Sequence, residues 1–254
     1  MRRNRRSGLA MAVVLTVTFG AIAAAHVGPS KDDNNRYLKL TLQADRIRLA
    51  YTVFFGEVPG AKLRGSIDAD HDGTISEPEA QAFGDKLADE VAAAIDVNVD
   101  TTQVRVHWEQ VVVGMGSPQV RAGSFSVDLV TQLCLGPGAT HALVLRDRFR
   151  LLNPGETEVK LEDTTGITVL ASKIGTATDR DVKFVGPGGP LSDDGVQLSF
   201  EVTARAPSAS SACTVPAPSV PPASGLPAAL VVISGAVVAF ALALIVTLIK
   251  RRRR

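Results

Sequence analysis

The stretch RYLKLTLQADRIRLAYTV, residues Arg36–Val53, alternates twice about a short polar break. Leu38, Leu40 and Leu42 share one face, with Lys39 and Thr41 opposite. Ile47, Leu49, Tyr51 and Val53 then share a face, with Arg46, Arg48 and Thr52 opposite. A side-chain period of two is that of a strand with one face buried. Two such runs around Gln43-Ala44-Asp45 predict a β-hairpin. The same signal recurs at Val104-Val106-Trp108, Phe125-Val127-Leu129, Leu143-Leu145, Val159-Leu161, Ile167-Val169, Val182-Phe184 and Val196-Leu198-Phe200-Val202. Turn-forming clusters separate these runs, for example Gly136-Pro137-Gly138 and Asn153-Pro154-Gly155-Glu156. The fold class expected is mainly β, as one β-sandwich or two small ones in series. The pattern does not set the strand order.

One helical island interrupts the alternation. From Glu77 to Ile95, Phe83, Leu87, Val91 and Ala94 or Ile95 follow a helical apolar stripe, and Pro78 stands in the first turn, where its missing N–H is tolerated. A shorter helix is expected from about Pro59 to Ile67, with Gly60 and Gly65 counting against it. Between the two lies DADHDGTISEPE, residues 68–79. This segment matches the twelve-residue EF-hand loop. Asp68, Asp70 and Asp72 take positions 1, 3 and 5, and Gly73 takes the sharp turn at 6. Thr74 offers its carbonyl at 7, Ser76 acts at 9, and Glu79 at 12 can bind through both oxygens. Hard oxygen donors in that number suit Ca²⁺. Four carboxylates so close would repel one another without a cation. Ile75, at the apolar position 8, must find a partner in the β-domain because no second loop accompanies this one. Asp96-Val97-Asn98-Val99-Asp100 repeats the opening of the motif, but Thr101 replaces the glycine and His107 the terminal acid. With Val97 and Val99 alternating, it reads as a strand edge. Asp193-Asp194-Gly195 reads as a turn.

Both ends of the chain carry addresses. Arg2, Arg3, Arg5 and Arg6, an apolar run from Leu9 and the closing Ala23-Ala24-Ala25 predict a signal peptide over residues 1–25, cleaved before His26; an uncleaved signal anchor is the alternative. Residues 226–249 hold no charge and precede Lys250 and Arg251–Arg254. As a helix this run reaches roughly 36 Å, enough to span a bilayer, with the basic tail on the cytoplasmic side. The organisation expected is a signal peptide (1–25), a β-rich ectodomain (26–204), an Ala/Pro/Ser stalk (205–224), one transmembrane helix (225–249) and a basic cytoplasmic stub (250–254). The location is a bacterial cell membrane, single-pass, with the ectodomain periplasmic or extracellular. Without the basic residues of the two ends, 18 basic residues face 26 acidic ones, a net of about −8 that speaks against a nucleic-acid partner. Cys134 and Cys213 can pair in an oxidising exterior, although a flexible stalk is an unusual anchor; free or intermolecular thiols are the other reading.

The order His26, Asn35-Arg36-Tyr37, Asp45-Arg46-Ile47-Arg48-Leu49-Ala50-Tyr51, Glu57-Val58-Pro59 and then the acidic loop resembles the extracytoplasmic region of HupE/UreJ-type and related nickel/cobalt permease proteins of bacteria. The resemblance covers about residues 26–110. A permease needs several membrane helices where this chain has one, so transport is not implied. The C-terminal run also resembles bacterial sorting tails, which would imply cleavage.

Catalysis finds little support. The four histidines, His26, His71, His107 and His141, are scattered, and there is no G-x-S-x-G. The expectation is a non-enzymatic, membrane-anchored calcium-binding interaction or accessory module with a protein partner. The alternative is an accessory subunit of a nickel, cobalt or copper permease, holding metal at His26 through its amine and imidazole.

Overall fold

The structure, a computed structural model, describes residues 32–186, 191–203 and 213. The signal peptide, His26, the stalk apart from Cys213, the apolar span and the basic stub lie outside the described residues. Among the described residues no helix is long and apolar enough to cross a membrane.

The chain is mainly β. The first hairpin forms as its alternation dictates: β1 (Asn34–Leu42) pairs antiparallel with β2 (Arg46–Phe55), with Leu42 opposite Ile47. Two helices follow, α1 (Glu57–Ile67) and α2 (Glu77–Ala94), and then β3 (Ile95–Val99), β4 (Thr102–Val104), β5 (Gln110–Gly114), β6 (Phe125–Cys134) and β7 (Thr140–Asp147). The remaining strands are β8 (Pro154–Asp163), β9 (Ile167–Ile174), β10 (Asp181–Val185) and β11 (Val196–Val202). They build a six-stranded sheet, β10-β8-β1-β2-β6-β5, and a five-stranded sheet, β4-β3-β7-β11-β9. Among the described strands only the β1–β8 pair is parallel. One hydrophobic core takes in Leu40, Leu49, Leu129 and Leu161 of the first sheet and Val97, Leu143, Leu145, Leu198 and Phe200 of the second.

Two readings of the sequence need correction. The alternation at Val104-Val106-Trp108 is real in burial, with Val106 and Trp108 in the core, but β4 ends at Val104. Residues 105–109 lie outside the named strands and carry the chain from one sheet to the other, with Val106 and Trp108 inside and the Glu109 N–H donating to Val130 O of β6 at 2.9 Å. The indole N–H of Trp108 donates to Ala88 O at 2.9 Å. The next strand, β5, went unread. Asp96–Val99 lies in β3 as expected of a strand, but the short β4 pairs outside it, so it is not the sheet's edge.

The helical excursion is seated by aromatic rings. Phe83 of α2 meets Phe55 and Phe125 edge-on at 5.8 and 5.7 Å, and Phe55 stacks on Phe125 at 4.6 Å. Gly60, which counted against α1, is what allows α1 to sit where it does, because a Cβ there would lie 2.7 Å from Gly123 O. At the far end of β6, Cys134 is disulfide-bonded to Cys213, with Cα atoms 5.5 Å apart. The segment after β11 is therefore stapled to the β-domain at Cys213, against the reading of the stalk as a poor anchor.

Candidate metal site

The acidic loop runs from the end of α1 to the start of α2, and each turn of it has a local cause. Asp70 Oδ1 accepts the N–H of Asp72 at 3.1 Å, and Asp72 Oδ1 accepts that of Thr74 at 2.7 Å, short Asx turns that coil the chain on itself. Gly73 sits at φ 89°, where a side chain would be strained. Its N–H donates to Asp68 Oδ2 at 3.0 Å, closing the ring between positions 1 and 6. At the exit, Ser76 and Glu79 form a capping box: the Ser76 N–H and hydroxyl donate to Glu79 Oε2 at 2.9 and 2.7 Å. Glu79 Oε1 reaches back to the Ala69 N–H at 2.7 Å. The backbone N–H and hydroxyl of Ser76, with the Ala69 N–H, hold the Glu79 carboxyl down to about 2, so it is ionised at any physiological pH.

The structure brings together Asp68, Asp70 and Glu79, whose ligand atoms all lie within 4.8 Å of one another. Asp72 is not in that set; it is exposed and turned to the Thr74 N–H. Thr74 is half-buried in an isolated bridge to Gln119, and Ser76 is engaged as the helix N-cap. Asp68 is buried at 5% exposure, and among the described residues its Oδ1 has no hydrogen-bond partner. A buried carboxylate oxygen without a donor is costly, and a cation is the simplest group to satisfy it. None of Asp68, Asp70, Asp72 and Glu79 forms an ion pair among the described residues.

Ile75 finds its partner in the β5–β6 connection. It is buried at 4% exposure, and its N–H donates to Pro118 O at 2.7 Å, while the Val120 N–H donates to Gly73 O at 3.2 Å. The chain bends at Gly116 and Ser117, but nothing in the sequence of this connection marks it as a partner for the loop.

Two buried charged groups escaped the sequence reading. Arg64, on α1, is fully buried under the 115–124 loop. Arg36 of β1 and Tyr51 of β2 meet Asp147 of β7 between the sheets. A signal for both was present in the spacing. Arg36 is in phase with Leu38 and Leu40, Asp147 with Leu143 and Leu145, and Arg64 with Gly60 and Ile67 at helical intervals. His71 and His107 are exposed, whereas His141 is buried with its Nδ1 2.7 Å from Asp100 Oδ2. No protein-family model matches the chain, and no curated protein matches it.

Proposed function

We propose that the chain is a non-enzymatic, membrane-anchored extracytoplasmic module whose β-sandwich carries one structural Ca²⁺ site and serves as an interaction or accessory partner for another protein. The observation that carries the metal reading is the buried, unpartnered Oδ1 of Asp68 beside Asp70 and Glu79. The donor set is all oxygen and strongly anionic, which favours Ca²⁺ over softer ions. Asp68, Asp70 and Asp72 would supply carboxylates, Thr74 its carbonyl and Ser76 a contact through water. Glu79 Oε1 keeps a lone pair beyond its bond to Ala69. The bound cation would supply positive charge to a loop that has none of its own. Anchorage is supported by the apolar run 226–249 and the basic residues that follow it.

The test is calorimetric titration of the purified protein with Ca²⁺, Ni²⁺ and Cu²⁺. The expected result is one Ca²⁺ site that His26→Ala leaves unchanged. Absence of Ca²⁺ binding, together with Ni²⁺ or Cu²⁺ binding lost in His26→Ala, would replace this reading with that of a transition-metal permease subunit.

A further inference from the structure

We propose that the Met115–Ser124 loop is the built-in second half of the metal site, and that Arg64 is the positioning residue that holds it in place. The proposal rests on the metal reading above. Helix-loop-helix sites gain rigidity when position 8 of one loop pairs with the same position of a second, and this chain has one loop. Here the pairing is made by a segment with no ligands of its own. An isolated bridge joins Thr74 to Gln119, flanked by the Ile75 N–H to Pro118 O and the Val120 N–H to Gly73 O. Positions 6 to 8 of the acidic loop are thus held by three consecutive residues of the β5–β6 connection.

That connection meets the core through the partly buried Met115 and Val120, and Gly116, Ser117, Gly123 and Ser124 bring little side chain of their own. What fills its inside is one guanidinium. Arg64 Nε donates to Gly123 O at 3.0 Å, and Nη1 donates to Ser117 O and Gln119 O at 2.7 and 3.1 Å. Nη2 donates to Met115 O and, at 3.3 Å, to Ser124 O. All five N–H donors of the side chain meet carbonyls of this single loop. The guanidinium also lies over the Phe125 ring at 5.4 Å. Through its own carbonyl, Arg64 accepts the N–H of Asp68, position 1 of the acidic loop, at 3.1 Å. One residue therefore braces position 1 by its backbone and positions 6 to 8 by its side chain. Asp68, whose backbone N–H this brace holds, is also the residue whose buried Oδ1 has no hydrogen-bond partner among the described residues. Without the brace, Gly73–Ile75 would lose the fixed backbone that a closing ring of ligands needs, and the cation would have to order both loops itself.

The experiment compares Ca²⁺ titration of the wild-type chain with that of Arg64→Lys and Gly60→Ala. Lysine keeps the charge but cannot reach five carbonyls. The Gly60 substitution keeps Arg64 and pushes Gly123, and with it the loop, off α1. The expected result is Ca²⁺ affinity weaker by about tenfold or more in both variants, within the usual range of coupling between linked sites. Amide exchange at Ile75 and Val120 should slow when Ca²⁺ is added to the wild type. A purely structural Arg64 would lower the melting temperature in chelator while leaving affinity within twofold of wild type, and that outcome overturns the proposal. If Arg64→Lys does not fold, Gly60→Ala and the wild-type exchange data decide alone, and Ca²⁺-indifferent exchange at Ile75 and Val120 overturns it as well. Failure of the wild-type chain to bind Ca²⁺ removes the metal reading itself; equal binding by wild type and variants removes this inference only.

Discussion

Arg36 and Arg64, the two arginines among the largest fully buried side chains of the described residues, are satisfied in different ways. Arg36 lies between the sheets and is closed against an acid: its Nη1 donates to Asp147 Oδ2, which also accepts the Tyr51 hydroxyl at 2.9 Å. Burial pulls its ionisation down, but Tyr51 and Asp147 more than offset this, and the net direction is up. Its Nε and Nη2 find no partner among the described residues. Arg64 is closed against backbone carbonyls alone and leaves no donor over. The carboxylates nearest to it in sequence therefore receive no counter-charge from it. Where the protein neutralises its own acid, stability should depend on side chains and pH. Where it gathers acids beside an arginine that is already engaged, stability should depend on a cation from solvent.

Asp147→Ala should have the largest effect. It leaves Arg36 buried without its anion, a loss of about 3–5 kcal/mol for a broken buried pair. Urea denaturation should give the same loss in Ca²⁺ and in chelator, since the Arg36 cluster and the acidic loop share no described hydrogen bond. A loss that changes with Ca²⁺ would show that the two regions are one cooperative unit. Next comes Cys134→Ser. The disulfide spans 79 residues and should contribute about 2–4 kcal/mol through the unfolded chain. The Ca²⁺ response should survive, because Phe125, which seats Arg64, is at the other end of β6.

Tyr51→Phe should cost about 1.5–3 kcal/mol at neutral pH, the value of a hydrogen bond to a charged group. Burial, and then the Asp147 charge, hold the Tyr51 phenol well above its usual value of 10. A raised pKa stabilises the fold fully below the unfolded value of about 10, and the contribution is lost as pH rises from there toward the folded value. The wild type should therefore lose stability above about pH 10, and Tyr51→Phe should lose less over the same interval. Denaturation midpoints measured from pH 8 to 11 check this, and parallel curves would mean that the phenol does not titrate with unfolding.

What was legible in the sequence follows the range of the interaction concerned. The β1–β2 hairpin, the strands β6 to β11 and α2 were readable because period and turn residues are local properties. The turns of the acidic loop were readable, because its ring is closed by bonds between residues 68 and 79, and of its carboxylates Asp68, Asp70 and Glu79 come together. Its imitation at 96–100 was separable for the same reason. Thr101 shares the positive φ of Gly73, at 70°, but Val97 and Val99 are core residues, and Asp100 turns outward to His141 and the Ala142 N–H. Strand order, the partner of Ile75 and the pairing of Arg36 with Asp147, 111 residues away, were not readable. Each depends on where the chain returns to, and alternation says only which way a side chain faces. The in-phase charges Arg36, Asp147 and Arg64 were nonetheless visible as exceptions to the apolar pattern.

The smallest effect is the one that bears most directly on the cation. Extracellular sites of this kind bind Ca²⁺ at about 10⁻⁴–10⁻³ M. With a dissociation constant of about 0.1 mM and free Ca²⁺ of about 1 mM, mass action adds about 1.4 kcal/mol to the folded state. Chelator should accordingly lower the melting temperature by a few degrees and leave the β-signal in circular dichroism unchanged. Glu79→Gln should abolish the shift, but it also weakens the cap that Glu79 forms with Ser76, so its baseline moves as well. Asp70→Asn separates the two effects. Asp70 is exposed, and its side chain accepts at Oδ1 the Asp72 N–H, a bond that an asparagine oxygen can keep. In chelator, Asp70→Asn should melt at or slightly above the wild type, because one of four mutually repelling charges is gone. In Ca²⁺ it should melt below the wild type, because a ligand charge is gone. A crossing of the two variants between conditions is the signature of a site that is strained by its own charge and relieved by a cation. If Asp70→Asn and wild type keep the same order in both conditions, the carboxylate loop is folded by its Asx turns and capping box alone.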